Sequence, residues 1–274
     1  MDKYLLKRAA RPFSLIVALV VCGLGIRLSW QAGYQDIGRA LAIFFAAVIA
    51  QIGVNLINDH RDIETHSLTD QAKHAIKRNL WLGVGCFVAA AGLGLWLVWL
   101  TGWQLFLLGV IGLAGGWFYT AKPIAYKHRG LGLVGVFIFT GVMMVYGAWM
   151  AMGGDWSLRV FLLSLPVSLI ASLILLANEI RDYEDDKTKQ IGTLSVRIGL
   201  LPARILFVIL AIAPFAAVFS LYELIPRFWM VLPALILLIA PLKEFLKPEG
   251  QRQKLPPVTG RFFAGFGLLY WFAV

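Results

Sequence analysis

Two short stretches, "NLINDHRDIE" from Asn55 and "LLANEIRDYE" from Leu175, share one pattern: Asn, an acid, x, Arg, Asp, x, Glu. Its members are Asn58, Asp59, Arg61, Asp62 and Glu64 in the first copy, and Asn178, Glu179, Arg181, Asp182 and Glu184 in the second. Of the fifteen Asp and Glu in the chain, nine fall between Asp59 and Asp70 or between Glu179 and Asp186. On a continuing helix Asp59 and Asp62 are i, i+3 neighbours and Asp182 and Asp186 are i, i+4, so each pair shares a face where like charges repel. A cation between them removes that repulsion. Carboxylates together with the amide carbonyls of Asn58 and Asn178 form a hard-oxygen donor set. Such a set suits Mg2+, which binds through one or two carboxylates plus substrate phosphates. One charged loop reads equally well as solvated surface; two copies at equivalent helix ends do not.

The elements that must position these clusters are apolar. Of 274 residues 59% are hydrophobic and only 15% charged, and the mean hydropathy is +0.77; a soluble domain carries about a quarter charged residues. Runs of roughly 17–25 apolar residues cross a hydrocarbon core, and nine apolar stretches are read here. They are Pro12–Ser29, Ala40–Ile57, Leu80–Leu100, Trp103–Tyr119, Leu131–Met152, Val160–Ala177, Arg204–Leu221, Phe228–Pro241 and Arg261–Val274. The expected fold is all-α, a polytopic membrane protein with nine transmembrane helices in one domain over residues 1–274. The first stretch follows Lys3, Lys7 and Arg8 and so has a signal-like start. With eight further spans and no small-x-small cleavage site behind it, it reads as an uncleaved helix.

The charges are distributed unevenly. Net charge is +10, and of the 25 Lys and Arg all but Arg27, Arg39, Arg159 and Arg227 lie before the first span or after the second, fourth, sixth and eighth. The positive-inside rule then sets a cytoplasmic N-terminus. The basic excess is accounted for by topology, so no nucleic-acid partner is expected. Both acidic clusters fall at the cytoplasmic ends of even-numbered spans, four crossings apart, as a parallel repeat able to converge over one cavity. Cys22 and Cys86 sit inside spans without a CxxC or metal spacing and read as core residues. His60, His66, His74 and His128 read as loop residues, and Gly112, Gly115, Gly116, Gly132, Gly135 and Gly141 as points of close helix approach.

At these residues the chain resembles a known family. "QIGVNLINDHRD" and "LLANEIRDYEDD" are similar to the two Asp-rich motifs of the UbiA superfamily of intramembrane prenyltransferases. "RPFSLI" from Arg11, "FYTAKPIAYKHRGLG" from Phe118, "GVFIFTGVMMVYGAWMA" from Gly135 and "GTLSVRIG" from Gly192 follow in matching order. The set most resembles the 1,4-dihydroxy-2-naphthoate polyprenyltransferases. The resemblance implies a nine-helix bundle around a central cavity, in which Mg2+ held at Asn58, Asp59, Asp62, Asp182 and Asp186, with Asn178 nearby, binds the diphosphate of an isoprenyl donor. Three positions depart from the family pattern. The last acid of the first motif is His66, with Asp70 the nearest later acid. Ile191 occupies the usual lysine position before "GTL", with Lys189 or Lys187 as substitutes. Leu133 stands where an acid commonly follows GLG.

The chemistry implied is ionisation of an allylic diphosphate, helped by Mg2+ as Lewis acid and template, with Asp59, Asp62, Asp182 and Asp186 as the catalytic carboxylates. Lys122, Lys127 and Arg129 between spans four and five, Lys189 after span six, and the motif arginines Arg61 and Arg181 are the candidate cations for the leaving diphosphate. Tyr119 offers an aromatic face to the allylic cation. The expected partners are an isoprenyl diphosphate, an aromatic acceptor and the lipid bilayer; the acceptor is dihydroxynaphthoate or, in the alternative, 4-hydroxybenzoate, homogentisate, a chlorin or a haem. The expected location is a bacterial or archaeal inner membrane, with the site facing the cytoplasm. A cation-coupled transporter is the reading from a different class. It fits less well, because repeat-built transporters bind near the bilayer midplane on broken helices and these acids gather at helix ends.

Overall fold

The protein is described by a computed structural model covering residues 4–10, 12–58, 60, 63, 68–120, 123–248 and 250–274. In chain order its helices are α1 (Leu6–Ala9), α2 (Pro12–Gln31), α3 (Ile37–Asn58), α4 (Asp70–Thr101), α5 (Trp103–Phe118), α6 (Gly132–Ala151), α7 (Leu158–Arg181), α8 (Tyr183–Thr188), α9 (Leu194–Ile198), α10 (Leu200–Ser220), α11 (Ala234–Phe245) and α12 (Leu255–Ala273). No strand occurs among the described residues. That is the expected outcome in lipid, where helices satisfy every backbone group internally. By length and composition, six helical stretches can cross a membrane: Ile37–Ile57, α4, α6, α7, α10 and Phe228–Phe245. Leu15–Gln31 and α5 are shorter apolar helices.

Three boundaries differ from the sequence expectation. α4 starts at Asp70, ten residues before the apolar run, because Thr69 caps it through Ala72 N and its first turns bury Ala72 and Ile76 against Tyr4. At about 1.5 Å per residue, its 32 residues outreach a hydrocarbon core of about 30 Å, so this polar start projects beyond the apolar layer. The N-terminal segment packs on it: Asn79 Nδ2 donates to Tyr4 O at 2.9 Å, and Asn55 Nδ2, from α3, donates to Ala10 O at 2.8 Å. The stretch from Phe228 breaks at Pro233 into a 3-10 turn (Phe228–Val231) and α11, which runs on to Phe245. α12 begins at Leu255, with Pro at its first positions, where a missing N–H costs nothing.

α7 is the central element. It packs on α2, α6, α10 and α12, and the aromatic side of α12 seals it: Tyr270 is fully buried and donates to Leu163 O at 2.9 Å. α3 and α4 approach closely because Gly53 and Gly83 face each other, a Cβ on either falling 3.1 Å from the other's carbonyl. Gly115, Gly135 and Gly141 play the same part, since a Cβ there would overlap Phe139, Tyr126 and Ser168 respectively. Gly116 faces open space and Gly112 only a methionine methyl at 3.9 Å, so neither is a contact point. Val136–Val142 within α6 winds as a π-helix, a departure often found beside functional sites. It lies against α7, where Ser172 Oγ donates to Leu133 O at 3.0 Å.

Candidate active site at the charged end of the bundle

α7 does not run straight through the second acidic cluster. It ends at Arg181, Asp182 leaves helical geometry (φ −94°, ψ 7°), and α8 starts at Tyr183. The expected continuous helix is thus interrupted at the first of its two carboxylates. The i, i+4 relation survives: Asp182 N donates to Asn178 O at 3.0 Å and Asp186 N to Asp182 O at 2.8 Å. Asp182 and Asp186 therefore stay neighbours. Burial and then the charge of Asp182 raise the Asp186 carboxyl above the ordinary aspartate range, while Lys127 and the Thr193 hydroxyl, 3.4 Å away, pull it back. This is the like-charge strain expected of a carboxylate pair awaiting a cation.

Asp182 has its own partner meanwhile. Arg181 Nε meets Asp182 Oδ1 at 2.7 Å and Arg181 Nη2 meets Oδ2 at 2.6 Å. Asn178 commits its amide N–H to Ile174 O at 2.9 Å, so its carbonyl is the end able to serve as a ligand. Glu184 and Asp185 are exposed, and Lys189 Nζ pairs with Asp185 Oδ2 at 2.8 Å.

The connection from α5 to α6 supplies the facing wall. Tyr119 and Tyr126 pack edge to face at 5.4 Å, and Lys127 Nζ lies 5.6 Å above the Tyr119 ring. Tyr126 stays protonated, its hydroxyl pushed up to about 12 by burial, and donates to Gly115 O at 2.8 Å. The Lys127 ammonium acts electrostatically on both Glu179 and Asp186. Arg129, by contrast, is exposed and donates to Pro123 O at 2.7 Å. Of the expected cations on the described loops, Lys127 acts on Glu179 and Asp186, while Lys189 pairs with Asp185.

Three residues outside the expected site hold it together. Glu179, only 3% exposed, accepts from Ser195 N at 3.0 Å and Ser195 Oγ at 3.1 Å. Arg197 donates from Nε to Gly192 O at 3.0 Å and from Nη2 to His128 O at 3.1 Å. The "GTLSVRIG" segment is thereby fastened to the end of α7 and to the α5–α6 connection. Gly130, at φ +80°, permits this contact, because a Cβ there would sit 2.7 Å from Arg197 Cδ.

The first cluster is described only in part. Asn58 ends α3 and its side chain lies outside the described set, as do Asp59, Arg61, Asp62, Glu64, His66 and, between α5 and α6, Lys122. Among the described residues no three His, Cys, Asp or Glu side chains gather closely enough to hold a metal by themselves.

A family model described as the UbiA prenyltransferase family matches residues 14–266, nearly the whole chain. The chain belongs to the UbiA prenyltransferase family. Membership makes it a prenyltransferase, and its apolar helices make it an integral membrane protein. Among its UbiA relatives is the 1,4-dihydroxy-2-naphthoate octaprenyltransferase of Bacillus subtilis (strain 168), 27% identical over 71% of this chain and 66% of that enzyme, just under two thirds of its length. The enzyme of the same name from Mycobacterium leprae (strain TN) is 32% identical over 74% of this chain and 72% of its own. In fold the chain is similar to a UbiA homologue from Archaeoglobus fulgidus whose structure was solved bound to GPP and Mg2+. That match has a TM-score of 0.65 at 14% identity and covers 98% of this chain and 99% of the other.

Proposed function

We propose that this UbiA-family chain transfers an isoprenyl group from a prenyl diphosphate to an aromatic acceptor, 1,4-dihydroxy-2-naphthoate, at the cytoplasmic mouth of a nine-span bundle. One observation carries this reading: Asp182 and Asp186 sit one turn apart at a helix end, with the Lys127 ammonium acting on Asp186, an arrangement that suits a diphosphate and a divalent cation. The fit of Mg2+ is supported by the donor chemistry. Two hard carboxylates repel one another there, and the burial that raises Asp186 favours either a proton or a metal on it. The remaining ligands in this reading are Asn58, Asp59 and Asp62 of the first cluster. Bound Mg2+ would supply Lewis-acid stabilisation of the leaving diphosphate.

The chain's own residues do the rest. Lys127, and Arg181 once released from Asp182, meet the diphosphate oxygens that gain charge as the allylic C–O bond breaks with its electron pair. Preorganised cations aimed at developing charge act strongly where water is excluded. Tyr119, beside Lys127, presents a ring face to the allylic carbon as it becomes positive. The electron-rich ring carbon that bears the carboxylate then forms the new C–C bond, and the ring regains aromaticity as that carbon's bond to the carboxylate breaks and CO2 leaves. Arg129 and Lys189 are outer charges near the entering diphosphate. The naphthoate assignment rests on the names of the Bacillus and Mycobacterium relatives.

The test uses detergent-purified protein, labelled prenyl diphosphates and a panel of dihydroxynaphthoate, 4-hydroxybenzoate and homogentisate, read by mass spectrometry. A prenylated naphthoquinol, lost on chelation and restored by Mg2+, is the expected result. Product only with another acceptor overturns the naphthoate assignment; no product with any overturns the transfer reading. Turnover without sealed vesicles also separates a transferase from a transporter.

A further inference from the structure

Glu179 lies one helical turn before Asp182, about 4.5 Å further into the bundle, and its carboxylate is half used. Oε2 takes both donors of Ser195, at 3.0 and 3.1 Å. Oε1 is buried and has no hydrogen-bond partner among the described residues. Buried carboxylate oxygens are costly unless paired, so an orphan held this firmly calls for a reason. If Glu179 served only to fasten Ser195, a neutral glutamine would do so without a buried charge.

The surroundings of Oε1 point to its ligand. Gly132 stands opposite: a Cβ there would come within 3.5 Å of Oε1, so the glycine leaves that space without a side chain. The carboxylate is close enough to Tyr119 to act on its phenol, and Lys127 and Asp186 act on the carboxylate. Asp186 disfavours a second anion, and Lys127 offsets the charge of Glu179. What the free oxygen lacks is a neutral hydrogen-bond donor, entering from the side of Tyr119. It lies one turn before Asp182 on α7, on the bundle side of the exposed Glu184 and Asp185.

Resting on the transfer reading above, we propose that Glu179 is a specificity-determining residue whose Oε1 accepts a hydrogen bond from a ring hydroxyl of the aromatic acceptor, with Ser195 holding the carboxylate in place. Glu179→Gln is the informative variant, because it retains an oxygen for Ser195 while turning the free corner from acceptor to donor. Acceptor Kd, followed by tryptophan fluorescence without donor, and the KM values of acceptor and donor are measured in wild type, Glu179→Gln and Ser195→Ala. In Glu179→Gln the acceptor Kd and KM rise about tenfold or more, as loss of a hydrogen bond to a charged group predicts, while donor KM stays within about twofold. Ser195→Ala, which removes one tether but not Oε1, changes acceptor KM far less. Mono-O-methyl acceptors supply an arm independent of any variant. The ether at the recognised position binds wild type as weakly as the parent acceptor binds Glu179→Gln, and the substitution weakens it no further. Unchanged acceptor Kd in Glu179→Gln, equal losses in Ser195→Ala, a loss confined to donor or Mg2+, or wild type using every O-methyl ether as well as the parent would each overturn the proposal. Wild type that prenylates no member of the panel brings down the transfer reading itself, and this assignment with it.

Discussion

Arg181 and Asp182, adjacent in sequence, form a two-pronged ion pair with N–O distances of 2.7 and 2.6 Å. Neighbours on a helix do not face each other; these do because the backbone leaves helical geometry at Asp182. Both oxygens of a proposed metal ligand are thus occupied by a guanidinium. In the proposed reaction Asp182 would hold the cation, which would free Arg181 to meet the diphosphate. Arg181→Ala therefore has two opposite effects: a lower Mg2+ concentration at half-saturation, since a competitor is gone, and a higher donor KM. A Mg2+ titration at fixed donor and a donor titration at saturating Mg2+ check the two arms.

Asp182→Ala and Asp186→Ala each reduce transfer by roughly a hundredfold or more, the scale of losing several kcal/mol of charge stabilisation. Asp62→Ala does the same if the first cluster completes the site. Membrane levels and detergent melting profiles stay close to wild type, because no described core contact depends on Asp182 or Asp186. Initial rates normalised to protein content are the measurement.

The Asp186 carboxyl is raised, so at a given pH it carries more proton than an ordinary aspartate. Metal binding requires the deprotonated form. The sign follows: as pH falls, Mg2+ affinity declines, and the decline begins above the pH at which a solvated aspartate would take a proton. Lys127 pulls the Asp186 carboxyl down, so Lys127→Gln moves the onset to still higher pH, and Asp186→Asn removes this component. Calorimetric Mg2+ titrations across pH, without donor, measure all three.

Gly192 lies against the α5–α6 connection, where an added Cβ would come 2.5 Å from His128 O. A backbone carbonyl cannot swing aside, so Gly192→Ala separates the two segments that Arg197 joins. The expected result is a stability loss of about 1–3 kcal/mol, as for overpacking elsewhere, with a lowered transfer rate. Thermal unfolding in detergent and donor KM check it.

Much of this was legible in the sequence. Apolar run length located the six described stretches long and apolar enough to cross a membrane, and the repeated pattern pointed to the end of α7, where Asp182 and Asp186 are neighbours. Helix ends were harder, since α4 starts at Asp70 through a Thr69 cap and burial of Ala72 and Ile76, neither of which hydropathy registers. Glu179 was hidden in a run of charges that looked uniform. A signal was present: it falls seven residues after Ser172 and three after Leu176, on the buried face of α7. Its partner Ser195 and the bridging Arg197 fall in the "GTLSVRIG" segment, but their contacts were not legible, because they join positions across a turn whose path no local spacing encodes. The break at Asp182 likewise has no helix-breaking residue to announce it; it coincides with the Arg181–Asp182 pair.

The central claim is that both acidic clusters share one metal-bound diphosphate, and a structure with Mg2+ and a non-hydrolysable prenyl diphosphate analogue tests it most directly. Metal ions are expected about 2.1 Å from carboxylate oxygens of Asp62 on one side and Asp182 on the other, with the same diphosphate between them. A diphosphate bound by one cluster alone, with the other turned away beyond its reach, would contradict it.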